Sequence, residues 1–419
     1  MKKIFASIGL AAAGTASLHA YALLDAGDDK VWDVAATLRG FYDDNYVTSS
    51  AKQSSIGFEL TPTFQLNMPL QQTEIGLKYT YGLYYYQKRE ELGQNPIDQT
   101  HQFDLWVDHA FTPRWDLQFG DTVTVAQDPA LVNAGTAKRV EGNNLVNTAH
   151  ATLTTDWTRK FSTALSYQNT FVRYDNSGGT AITPSYAGLL NRVDQTFGLE
   201  GQWHFSRTTV GLVGYNFEIV NYTGNEPIAV NTVPPFQPYF SSIRDNMSHI
   251  GYVGAQHAFL ENLSGSAKAG VQYTTDYKDP NSTKSLGPYA DMSLIYTYAA
   301  GSYMQIGFTE RRNATDAVGV DSSGRITQDQ ESSVLYGSIN HPLTPKLTGS
   351  IVGDYQHSIY HDGAFNNGSA DFYSLGLNLA YAFNRHFSSD VGYNFNYYKS
   401  AAGGNYTRNV IYLGVTASY

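Results

Sequence analysis

Residues Tyr406–Tyr419, at the C-terminal end of the sequence, read YTRNVIYLGVTASY. Ile411, Leu413, Val415, Ala417 and Tyr419 share one parity, and all are apolar. Arg408, Val410, Tyr412, Gly414, Thr416 and Ser418 share the other, which is mixed and largely polar. Successive side chains of a strand point to opposite faces. The stretch is therefore a strand with one oily face, and that face is about as tall as a bilayer's hydrocarbon core for a tilted strand. An edge strand of a soluble sheet would show the same alternation, so the rest of the chain has to decide between them.

The pattern recurs. In Ser54–Met68, Ile56, Phe58, Leu60, Pro62, Phe64, Leu66 and Met68 take one face, and Ser55, Gly57, Glu59, Thr61, Thr63, Gln65 and Asn67 the other. A helix does not produce that alternation. In Thr73–Gln87, Ile75, Leu77, Tyr79, Tyr81, Leu83 and Tyr85 oppose Glu74, Lys78, Thr80 and Tyr84. Eighteen such segments lie between Trp32 and Tyr419, and those opening at Asn144, Asp245 and Asp329 alternate least cleanly. Pro62 inside a strand and Asp121 on an oily face both suggest local bulges. No helix is read in the chain after its leader.

Connections alternate between tight turns, such as Pro69–Gln72 and Ser206–Arg207, and longer polar loops, such as Asp128–Asn143, Asp175–Leu190 and Thr223–Arg244. Outer-membrane barrels have this asymmetry, with short periplasmic turns and longer outer loops. Aromatics gather at both segment ends. Phe111, Trp115, Phe161, Phe205, Phe259, Phe383, Phe387 and Tyr419 sit by the short turns, and Tyr42, Tyr85, Tyr174, Tyr222, Tyr277, Tyr360, Tyr397 and Tyr406 by the long loops. Two interfacial girdles are the expectation. A propeller or β-helix would need a repeat of fixed period, which is missing. The expected fold is an all-β, transmembrane antiparallel up-and-down barrel of 18 strands, with 16 the alternative.

Composition agrees. Tyr (32), Phe (21) and Gly (38) are abundant, and charged residues make up only 15%. The opening MKKIFASIGLAAAGTASLHAYA has a basic start, a short apolar run and a cleavage site after Ala20 or Ala22, the pattern of a secretory signal peptide over residues 1–22. Residues 23–31 read as a short periplasmic lead-in, and residues 32–419 as the barrel. With Lys2 and Lys3 removed, 37 acidic residues outnumber the remaining basic ones, which argues against nucleic acid as a partner. There is no Cys, hence no disulfide framework or thiolate metal site.

If the oily face meets lipid, the other parity lines the interior. That set holds Glu59, Glu74, Lys78, Asp104, Asp108, Asp194, Glu200, Glu218, Lys268, Asp291, Arg311, Asp354, Asp390 and Arg408, with Asp33, Arg39, Asp43 and Asp116 beside them. Carboxylates dominate it. A barrel of this size encloses an aqueous channel, and an acidic one concentrates cations. The same carboxylates could instead pair with Arg and Lys and stiffen the wall. The Pro-rich stretch 223–244 could fold inward or remain a surface loop. No nucleophile elbow, HExxH or phosphate loop is found. Ser358, His357 and Asp362 are neighbours in sequence only, so no catalytic, metal or cofactor site is expected.

Two resemblances add to this reading. Tyr412, Gly414, Ala417 and the terminal Tyr419 resemble the C-terminal assembly signal of bacterial outer-membrane barrels, which implies the barrel-assembly machinery as a partner. The run LRGFYDDNY from Leu38, then FELTPTFQLNMPLQQT (Phe58–Thr73) and HQFDLWVDHAFTPRWDL (His101–Leu117), resembles the outer-membrane β-barrel porin families of Gram-negative bacteria, in particular a group common in Verrucomicrobia-like genomes. The resemblance implies a pore in the outer membrane; the even strand number puts both termini on the periplasmic side, and the acidic interior adds a mild cation preference to the expected passage of small hydrophilic solutes. The alternative it implies is a barrel associated with exopolysaccharide export or surface interaction, whose loops carry the function. Lipid is the expected surround, and a homo-oligomer is open.

Overall fold

The computed structural model describes residues 31–128, 135–234, 236–280 and 283–419. The signal peptide and all of the lead-in except Val31 lie outside the described residues. Eighteen long strands form one sheet. The first nine are β1 (Trp32–Asp43), β2 (Ser55–Pro69), β3 (Thr73–Tyr86), β4 (Ile97–Thr112), β5 (Trp115–Ala126), β6 (Asn144–Asp156), β7 (Phe161–Arg173), β8 (Arg192–His204) and β9 (Thr209–Tyr222). A two-stranded hairpin follows in the next loop, β10 (Pro227–Val230) with β11 (Pro238–Phe240). The wall resumes with β12 (Asn246–Leu260), β13 (Leu263–Thr275), β14 (Lys284–Ala299), β15 (Ser302–Asn313), β16 (Asp329–Thr344), β17 (Leu347–His361), β18 (Ser369–Ala382), β19 (Phe387–Ser400) and β20 (Tyr406–Ser418).

Every wall strand pairs antiparallel with its sequence neighbours, and β1 pairs with β20 from Ala35↔Ser418 to Asp43↔Val410, which closes the barrel. Closure leaves no open edge, the condition for a sheet to sit in lipid. The oily parity faces out: Leu38, Leu60, Leu199, Val271, Leu335 and Leu413 are all exposed on the bare chain. Inside, bulky rings settle over glycines of the neighbouring strand. Tyr252 covers Gly214, Tyr336 covers Gly307 and Tyr412 covers Gly392, where a Cβ would lie within about 2.2 Å of the ring atoms. The two-residue turn before Ser302 needs Gly301, whose φ is +70°.

Several expectations need correction. Pro62 makes no bulge: β1 and β2 stay in register through Ala36↔Pro62, and β2 resumes with β3 at Thr63↔Thr80 in the register it held at Leu60↔Leu83. Only the ladder pairs at Thr61 and Pro62 are missing, as a residue without an N–H dictates. Asp121 makes no bulge either. It stays paired with Leu105 and Ala149 and accepts a hydrogen bond from Asn147 on the next strand. The loops do contain helix, α1 (Gln87–Glu91) and α2 (Tyr186–Leu190), the second capped by Ser185 Oγ accepting from the Gly188 amide at 2.9 Å.

Candidate functional site: the lumen and its loop-lined mouth

The registers put all fourteen of the sequence-selected lumen residues on the parity opposite the exposed leucines, and they fall into groups. At the seam where the barrel closes, Arg39 Nη2 lies 2.7 Å from Asp390 Oδ2 and its Nη1 3.5 Å from Glu59 Oε1. Asn378 Nδ2 donates to Asp390 at 3.2 Å and to the Tyr412 hydroxyl at 3.0 Å, and Thr61 donates to Glu59 at 2.7 Å. These residues come from β1, β2, β18, β19 and β20. Gly414 stands between Arg39 and Asp390 in the register, and a Cβ there would lie 2.4 Å from Arg39 Cγ. One glycine of the C-terminal pattern thus leaves room for the ion pair that spans the seam.

A second group joins Lys268 Nζ to Glu200 at 2.7 Å, with the Tyr252 hydroxyl donating to Glu200 at 2.9 Å and Asp291 paired across the ladder from Lys268. Lys78 stands opposite Asp104 and Glu74 opposite Asp108. Asp354 stands between Tyr336 and Ser374, apart from these groups. Near the mouth, Arg408 reaches Asp43 at 2.7 Å and Asp128 at 3.2 Å. Asp194 accepts from Arg192 Nε at 3.0 Å, and both line one recess with Glu218 and Arg311. Arg192 was missed in the sequence, although its parity matches that of Asp194.

The mouth differs most from expectation. The loops turn inward and build a core of their own. Val140, Tyr174, Leu189, Leu190, Ile228 and Ile326 form one buried cluster, and Ala137, Ala317, Tyr360, Phe372, Tyr398 and Tyr406 another. Tyr174, Tyr222, Tyr360 and Tyr406 are therefore interior residues and not part of an outer girdle. Tyr42 and Tyr85 do face outward, Tyr85 near Phe58 with ring centres 5.0 Å apart. The Tyr406 hydroxyl donates to the Ala137 carbonyl, and Thr136 Oγ1 donates to Asp316 at 2.9 Å. Arg139 and Arg89 both clasp Asp98.

Arg244, fully buried, donates to the carbonyls of Thr315 (3.0 Å) and Leu189 (2.5 Å) and lies over the Tyr222 ring at 4.9 Å. It makes no ion pair among the described residues, and burial pulls its guanidinium below the usual range. Burial likewise pushes the Asp316 carboxyl up, with Lys138 opposing the shift.

The insertion changes the wall as well. The β14–β15 ladder stops at Ala290↔Glu310, whereas β13–β14 runs on to Thr275↔Lys284 and β15–β16 to Asn313↔Gln330. Beyond Glu310 the strand leans over the inner face of its neighbours, and the Arg312 amide donates to Gln272 Oε1 at 3.3 Å. The signal of this in the sequence was the Pro-rich stretch 223–244, which carries the apolar Ile228–Val230. The Ser/His/Asp neighbours are not a triad. Ser358 Oγ faces inward against Ser332 Oγ (2.9 Å), and His357 lies on the other face against Asp371 (2.8 Å).

A closed antiparallel barrel with an oily outer band, a charged interior and alternating short and long connections is the architecture of outer-membrane β-barrels. Residues 238–419 match the family model described as "Putative beta-barrel porin 2". The wording resemblance seen in the sequence lies upstream of that match, between Leu38 and Leu117. No curated protein sequence matches the chain. Similar solved structures include OccAB4 of Acinetobacter baumannii, 11% identical with a TM-score of 0.42, covering 93% of this chain and 99% of that one. OccK1 (OpdK) of Pseudomonas aeruginosa is 10% identical, with a TM-score of 0.43 and coverage of 93% and 99%. The ferric enterobactin receptor PfeA of Pseudomonas aeruginosa is 10% identical, with a TM-score of 0.45 and coverage of 92% and 81%.

Proposed function

We propose that the barrel is a passive channel for small hydrophilic solutes with a mild preference for cations. The observation that carries this is the imbalance of paired charge inside. Arg39, Arg192, Lys268 and Arg408 each sit against a carboxylate. Glu74, Asp108, Asp116 and Asp354 have no basic ion-pair partner among the described residues, and each lies on the inward parity. Fixed negative charge on a low-dielectric wall raises the local cation concentration. The inserted loops narrow the path at one end, which suits small solutes. On this reading both termini are periplasmic, lipid surrounds the outer band, and Tyr412, Gly414, Ala417 and Tyr419 are read by the assembly machinery.

The test is single-channel recording of the refolded protein in a planar bilayer under a KCl gradient. Steady conductance with a cation-selective reversal potential is the expected result. A folded barrel that stays silent would overturn the channel reading and favour partner-gated export or loop-borne binding. Anion selectivity would overturn the charge argument alone.

A further inference from the structure

Inside the mouth, the wall strands β7, β8, β9, β12 and β13 face the inward-leaning end of β15 across a polar recess. The two sides carry opposite charge. The wall contributes Asp194 and Glu218, and the leaning strand contributes Arg311 and Arg312. Arg312 is committed to Asp329 at 3.1 Å, and one oxygen of Asp194 to Arg192. Glu218 and Arg311 face the recess with neither an ion pair nor a hydrogen bond among the described residues. An acceptor side and a donor side are thus both left uncommitted, on opposite elements.

From this we infer that the recess is a binding site for a small zwitterion, an ammonium and a carboxylate on one compact solute, as in an α-amino acid. The inference rests on the channel reading and names the class of solute that would pause there. The ammonium faces Glu218, and the carboxylate faces Arg311. A solute with a single charge meets one complementary side and one repelling side, whereas a zwitterion meets both favourably. Tyr222, the one aromatic among the described lining residues, is buried with Arg244 over its ring, so the site offers a sugar little ring surface to stack on.

Isothermal titration calorimetry on the refolded full chain in detergent tests the assignment. The probes are L-glutamine, N-acetylglutamine (no ammonium), glutaminamide (no carboxylate) and glucose. Glutamine is expected to bind, and each truncated probe about tenfold or more weakly, the loss of one charge-assisted contact. Glu218→Gln should weaken glutamine by a similar factor while leaving N-acetylglutamine unchanged. Arg311→Gln should do the same and leave glutaminamide unchanged. The truncated probes decide the matter on the unaltered protein if a variant does not fold. Equal binding of all four probes, or no heat with glutamine, overturns the site. A barrel that binds glutamine but passes no ions keeps the site and loses the channel. A conducting barrel with no glutamine binding does the reverse.

Discussion

Replacing Arg39 by Gln should weaken the barrel at its closing seam by about 3 kcal/mol. The guanidinium is 4% exposed, and the Glu59 and Asp390 side chains are 7% and 8% exposed, so water screens the group poorly. Breaking a buried pair by removing one partner costs about 3–5 kcal/mol, because a charge is left behind. Here the lower end applies, since Glu59 keeps Thr61 and Asp390 keeps Asn378 as hydrogen-bond donors. Arg39→Gln combined with Asp390→Asn removes both charges, and the double variant should recover to a loss of about 1–2 kcal/mol. Gly414→Ala should cost a comparable amount by forcing a Cβ into the path of the pair, and should add little to Arg39→Gln. The assay is equilibrium unfolding in guanidinium followed by tryptophan fluorescence, with a double-mutant cycle across the three positions. A loss below about 1 kcal/mol for Arg39→Gln, or strictly additive losses, would refute the claim that one charge cluster holds the first and last strands together.

Four further outcomes are expected. Arg244→Met should speed backbone hydrogen exchange around residues 186–191 and 313–318 by about tenfold or more while leaving the wall strands protected, since two charged hydrogen bonds to loop carbonyls disappear; unchanged exchange there would remove Arg244 as the staple of the insertion. Deleting Tyr419 should lower the yield of outer-membrane-inserted, heat-modifiable barrel without altering the unfolding midpoint of the molecules that do fold, and an unchanged yield would detach this residue from assembly. Asp276, in the loop after β13, has its carboxyl pushed up to about 8 by burial and by the charge of Asp329. The folded state therefore binds its proton more tightly than the unfolded chain, so the contribution of this group to stability is full below about pH 4 and is lost, by at most about 1.4 kcal/mol per unit, as pH rises towards 8. Asp276→Asn should flatten that slope in unfolding curves taken from pH 5 to 8, and an identical slope in both proteins would contradict it. Glu74→Gln with Asp108→Asn should shift the reversal potential under a KCl gradient towards zero; no shift would place the selective charge elsewhere.

The wall was legible in the sequence because each barrel strand records its own two environments. Leu413 faces lipid and Tyr412 the interior, and one residue of separation puts them on opposite sides without reference to any other strand. The same parity separated Glu59 from Leu60 and Asp354 from Tyr355. Pairing between lumen charges was not legible in this way. Arg39 and Asp390 lie 351 residues apart and meet only because the barrel closes. The mouth was least legible. Tyr360 and Tyr397 both sit at the loop ends of their strands, but Tyr360 shares the inward parity of Asp354 and Tyr397 the outward parity of Val391. Tyr360 packs in a core because residues around Ala137 and Ala317 come to it from two other loops. Parity alone turns such an aromatic inward or outward; what the loops decide is whether an inward one meets water or a packed core. The β14–β15 ladder shows the structural cost of entry: it stops at Ala290↔Glu310 so that Arg311 and Arg312 can lean inward. Unmade backbone pairs in a barrel wall are unfavourable unless something replaces them. Part of the replacement is visible in the Arg312 amide bound to Gln272 and the guanidinium bound to Asp329. On the proposed reading, the charge left over on Arg311, facing Glu218, is the part that a solute would use.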